Sequence, residues 1–214
     1  VAFATKEDVV NYALTLLGVT RYVTSLSSPT SAEEVVASKV WDQAYRRTLE
    51  EVQPHFAVVR EALTEDTSIE HKEWKYVYDV PSGVLVPLKL YQTTVTYWRP
   101  TVLPKYQPPF VIEYDTANAK NVLLTNLPDA GLVYVKDESD VTKYTPLFIE
   151  ALAWTVAAAM SKGLRMEPSF QARADQMADL NTRRARAEEE NRIHEMRTQD
   201  PPWILARNNK PPGW

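Results

Sequence analysis

The amino-acid order predicts an α+β fold, mainly α: a helical bundle with a long C-terminal helix, a small antiparallel β-sheet inserted between helices, and an extended C-terminal arm. Three observations predict it. Apolar residues recur at helical spacing over residues 5–17, 31–53, 146–162 and, more thinly, 168–198. The period shortens to two across residues 57–137, and from residue 199 prolines and bulky apolar side chains appear with no period at all. Residues 1–198 therefore read as a body and residues 199–214 as an arm.

The first helix opens at Thr5-Lys6-Glu7-Asp8, where a threonine caps free amides and acids suit the helix dipole. Val9, Val10, Ala13, Leu14, Leu16 and Leu17 form its apolar stripe, and Gly18 is a natural stop. After a loop over residues 19–30, Ser31 and Glu34 fit a capping box at the start of a second helix. Its face of Val36, Val40, Trp41, Ala44, Tyr45, Leu49 and Val52 runs until Pro54 ends it.

In the middle, Trp74, Tyr76, Tyr78 and Val80 alternate as one strand face, followed by a Pro81-Ser82-Gly83 turn. Residues 84–96, 110–115, 120–125 and 132–136 are further strands, and their short linkers imply antiparallel pairing in one sheet. Pro87 belongs at an edge or bulge. Thr145-Pro146 starts a helix that is apolar nearly all round, the expected central core helix, with Gly163 as its end. The last helix begins at Pro168; Phe170, Ala174, Met177, Ala178 and Leu180 supply its packing, after which five arginines and five acids balance over residues 181–200.

Composition narrows the function. With 44% hydrophobic and 24% charged residues the body folds, and with no cysteine it has no disulfide, thiolate metal site or cysteine nucleophile. A formal charge of -4 argues against a dedicated nucleic-acid binder. The opening residues VAFATKED do not resemble a signal peptide, and no apolar run approaches the ~18 residues that span a bilayer, so a soluble protein without a membrane partner is expected. His55, His71 and His194 are too scattered for a metal motif, and Walker, dinucleotide-binding and nucleophile-elbow patterns are missing. No cofactor and no catalysis are expected. The Glu188-Glu189-Glu190 run reads as solvated charge, not as an acid/base dyad.

Two segments read as contact surfaces. On the last helix, Arg184, Glu188, Arg192, Ile193 and Met196 suit a subunit interface, the alternative being an exposed helix held by pairs such as Glu188-Arg192. In the arm, Trp203, Ile204, Leu205 and Trp214 have no evident core to enter, and flanking prolines lower the cost of ordering them. A docking arm is expected there, with a frayed end as the alternative.

Three blocks carry a family resemblance. LTLLGV and, after a Ser-Leu loop, AYRRTLEEVQPHFAVVREAL form the first, YVYDVPSGVLVPLKLY the second, and LLTNLPDAGLVYVKDESDVTKYTPLFIEALAWTVAAAMSKGL the third. In this order, over about residues 6–197, they resemble the head-to-tail adaptor (connector) proteins of tailed bacteriophages, including the tail tubular protein A type. Gln53-Pro54-His55-Phe56 departs from the family, where many relatives carry a tryptophan, and the arm lies outside the likeness.

The resemblance implies a non-enzymatic virion protein at the head-tail interface, made in the host cytoplasm. It implies a homo-oligomeric ring, commonly a dodecamer, below the portal protein, with tail, stopper or nozzle proteins on its other face. DNA would pass through the lumen without specific binding, and Trp203, Ile204, Leu205 and Trp214 would reach along the portal. Two other readings are a tail-completion (terminator) protein and a small ligand-binding domain with an aromatic cleft around Trp74, Tyr76, Tyr78, Tyr97 and Trp98.

Overall fold

The computed structural model describes residues 3–94 and 108–192. The chain is α+β and mainly α, with four helices and six strands among the described residues, in the order α1 (Lys6–Leu16), α2 (Ala32–Val52), β1 (Val58–Ala62), β2 (Tyr76–Asp79), β3 (Val84–Gln92), β4 (Phe110–Asp115), β5 (Lys120–Thr125), β6 (Ala130–Lys136), α3 (Pro146–Gly163) and α4 (Pro168–Arg192). Short 3₁₀ turns at His55–Ala57 and Val141–Lys143 join the helical and sheet parts.

Helix starts follow their caps. Thr5 and Asp8 form a capping box at α1, as Ser31 and Glu34 do at α2, and Thr145 caps α3 through the Phe148 amide. At the far end of α1, Gly18 takes φ 74°, a left-handed conformation natural to glycine. Pro54 ends α2 by disfavouring helix at the residue before it, and Gln53 closes the helix as a left-handed cap with φ 52°.

α3 is central. Phe148, Ala151, Leu152, Ala153, Val156, Ala157 and Met160 are fully buried, and α1, α2 and α4 all pack around this helix. Gly163 is the last residue of α3, as expected, and its missing side chain has a further role: a Cβ there would sit 2.5 Å from Val36 Cγ1 of α2. The missing side chain lets two helices approach closely. The left-handed residue after the helix is Arg165, at φ 53°.

The six strands divide into two antiparallel sheets, where the sequence suggested one. Sheet A has the order β1-β6-β3 and sheet B the order β2-β5-β4. β6 can be central because it is buried from Ala130 to Val135, apolar on both faces. One face, with Val135, joins the helical core; the other, with Ala130, Leu132 and Tyr134, packs on Tyr78 and Leu123 of sheet B. The layers are thus helices, sheet A, sheet B. β1 escaped the periodicity reading because its burial does not alternate. β3 is an edge strand, and its register shifts at Pro87 as an imino acid without an N–H requires.

Candidate interaction surface

α4 is held to the body by a stripe of small and polar residues. Ala174, Ala178, Asn181, Thr182, Ala185 and Glu189 are buried, recurring at three- and four-residue steps on the face toward α2 and α3. Phe170 and Leu180, expected to pack inward, are instead 48% and 41% exposed, because the close approach of α4 is made by alanines and leaves bulky side chains outside. Met177 is half-buried.

These outward residues fall on one flank. At 100° per residue, Phe170, Arg173, Met177, Leu180, Arg184 and Glu188 lie within about 80° of one another around the helix axis. Arg184 is exposed, Glu188 half-buried, and Arg192 lies one turn beyond, 3.5 Å from Glu188. An exposed pair of that kind stabilises by about 0.3–0.5 kcal/mol. Of the expected interface residues, Arg184, Glu188 and Arg192 are thus brought to one side, while Ile193 and Met196 lie outside the described residues. Trp203, Ile204, Leu205 and Trp214 lie outside them too.

Glu189 departs from the solvated reading of the Glu188-Glu189-Glu190 run. It is only 6% exposed, and its Oε2 accepts from the His55 backbone N–H at 3.1 Å and meets His55 Nδ1 at 2.7 Å. The turn starting at His55 has no local side-chain cap, since Pro54 precedes it. Glu189 supplies that cap from the distant end of α4. A buried Ala174–Glu189 spacing at helical period was the signal available in the sequence, and the surrounding charge masked it.

A cleft of about 540 Å³ between α2, α3 and α4 is lined by Ala44, Arg47, Glu51, Ala158, Lys162 and Asp175. Its charges are matched, Arg47 with Glu51 at 2.8 Å and Lys162 with Asp175 at 3.0 Å. Lys120 joins Asp66 and Asp79, each at 2.6 Å; this holds the Asp66 carboxyl at about 2 and raises the lysine. Tyr78, one of the aromatics placed in a possible cleft, is 1% exposed between the sheets, and its hydroxyl donates to the Leu127 carbonyl at 3.0 Å. Tyr76 packs with it, Trp74 lies against the opposite side of sheet B, and Tyr97 and Trp98 are outside the described residues.

Among the described residues, no three His, Asp or Glu side chains are grouped to hold a metal ion, and no helix is long and apolar enough to cross a membrane. His55 meets Glu189, whereas His71 lies 4.0 Å from Glu113 on sheet B. No family model and no curated protein sequence matches the chain.

Proposed function

We propose that this chain is a structural, non-enzymatic head-to-tail adaptor subunit of a tailed-phage virion. It forms a ring below the portal, joins it to the tail and leaves a channel for DNA. The observation that carries the reading is the outer flank of α4, where exposed Phe170 and Leu180 share a surface with Arg184, Glu188 and Arg192. Exposed apolar groups rimmed by charge suit a contact between subunits. The three sequence blocks add the virion context, and the low net charge of -4 suits a wall along which phosphate slides without being gripped.

In this reading Ile193 and Met196 extend the subunit contact, and Trp203, Ile204, Leu205 and Trp214 hold the portal. Each of these bulky side chains supplies about 1.5–3 kcal/mol on burial, so a few of them suffice for a stable grip.

Electron microscopy of the protein mixed with isolated portal tests the proposal. The expected result is an added ring beneath the portal, lost when residues 200–214 are deleted. No association of the full chain with portal overturns it, and binding to the tail tube alone assigns the chain to tail completion instead. A deletion variant that still binds portal removes the arm from the proposal.

A further inference from the structure

The ring reading leaves open what the α4 flank touches on the next subunit, and the charge distribution answers it. Arg173, Arg183 and Arg184 are exposed; of the five α4 arginines, Arg186 and Arg192 pair with carboxylates, and among the described residues the other three have no carboxylate partner. The flank is therefore apolar and cationic.

Sheet B carries the opposite pattern. Over residues 63–79 and 108–129 there are eight acids and three lysines, and Lys120 is already shared between two of those acids. On the face of β4 turned away from sheet A, Val111 is 40% exposed and the Glu113 side chain 52% exposed. His71, 4.0 Å from Glu113, brings the neighbouring loop with exposed Glu70 and Glu73 to the same side. Among the described residues β4 pairs only with β5, which leaves its outer edge unpaired. This patch is apolar and anionic.

The two patches belong to different layers: α4 packs on α2 and α3, whereas sheet B packs on sheet A. We propose that the α4 flank of one copy docks head to tail on the β4 side of sheet B of a second copy of this chain, Arg173 and Arg184 facing Glu70 and Glu113. Self-pairing of either patch about a twofold axis would set like charges together, which is costly at an interface. Pairing unlike patches is a heterologous contact, the kind that builds a ring where its rotation closes. This inference rests on the ring reading of the function.

Complementary charge reversal tests it on the full chain. R173E/R184E makes the helix flank acidic, and E70R/E113R makes the sheet patch basic. All four side chains lie at the surface, so circular dichroism and melting should match the wild type. By native mass spectrometry, with and without isolated portal, the wild type is expected to oligomerise. Each variant alone should lose association at least about tenfold. An equimolar mixture should recover oligomers in which the two variants alternate.

A wild type that stays monomeric in both conditions, a variant that assembles alone like the wild type, or a mixture that fails to recover overturns the contact. Portal binding by the wild type beside a failed mixture sinks the contact and leaves the adaptor reading standing. Recovered oligomers that never bind portal support the contact and remove the adaptor reading.

Discussion

At residue scale, Glu34 concentrates more polar work than any capping residue needs. Its carboxylate is 3% exposed and accepts from the Thr24 N–H and hydroxyl at 2.9 and 2.8 Å, and from the Thr30 N–H, the Thr30 hydroxyl and the Ser31 N–H at 2.7, 2.9 and 3.1 Å. The loop before α2 is thereby fastened to the helix start. These donors, led by the Thr24, Thr30 and Ser31 backbone, hold the carboxyl far below its ordinary value of 4.5. Because the folded value lies below the unfolded one, the stabilisation is fully present above pH 4.5 and is lost as pH falls toward the folded value. Melting temperature should thus be level near neutrality and drop in acid. Glu34→Gln should melt a few degrees lower at pH 7, since one amide nitrogen must face N–H donors, and should lose less on acidification. A thermal profile of Glu34→Gln running parallel to the wild type from pH 3 to 7 would refute this assignment. The capping box was legible from Ser31 and Glu34; the bonds to Thr24 were not, because they depend on how the loop before α2 closes.

At the scale of elements, α4 is attached by close contact along alanines and then fixed at its far end by Glu189. Removing that carboxylate leaves the His55 N–H and ring without their acceptor, a cost of about 1–3 kcal/mol. The expected consequence of Glu189→Ala is local: hydrogen exchange should accelerate in the last two turns of α4 and at residues 55–57, while α3 keeps its protection. Uniform acceleration across the chain, or none, would contradict a role as a distal cap. Helix existence was readable because Thr5, Ser31, Thr145-Pro146 and Pro168 are local signals. The inward face of α4 was legible in part: Ala174 and Ala178 face the core as expected, joined by Ala185, whereas Phe170 and Leu180 are displaced outward. Small residues win when two helix backbones lie close, as Gly163 against Val36 also illustrates.

At the scale of the whole molecule, β6 ties the layers together, packing on helices with one face and on sheet B with the other. Leu132, fully buried on the sheet B side, is therefore a sensitive probe. Leu132→Ala should destabilise by about 2–5 kcal/mol and shift one cooperative transition seen alike by far-ultraviolet and tryptophan signals. Separate transitions for helices and sheets would mean that the layers fold independently. Every strand but β1 was visible by itself in the sequence, but the division into two sheets was not, because partners such as Val58 and Val135 are far apart in the chain. Pairing is decided by which strand is apolar on both faces, and the Val122-Leu123-Leu124 and Leu132-Val133-Tyr134-Val135 runs, now the central strands of the two sheets, were its traces. The central place of β6 also sets an order of events during synthesis. β1 and β3 leave the ribosome well before the strand that must lie between them, and α1 and α2 before the core helix they surround. Nascent chains must therefore carry two unpaired strands and a half-built helical layer until residue 136 and then α3 emerge, the interval in which holding by a chaperone matters most.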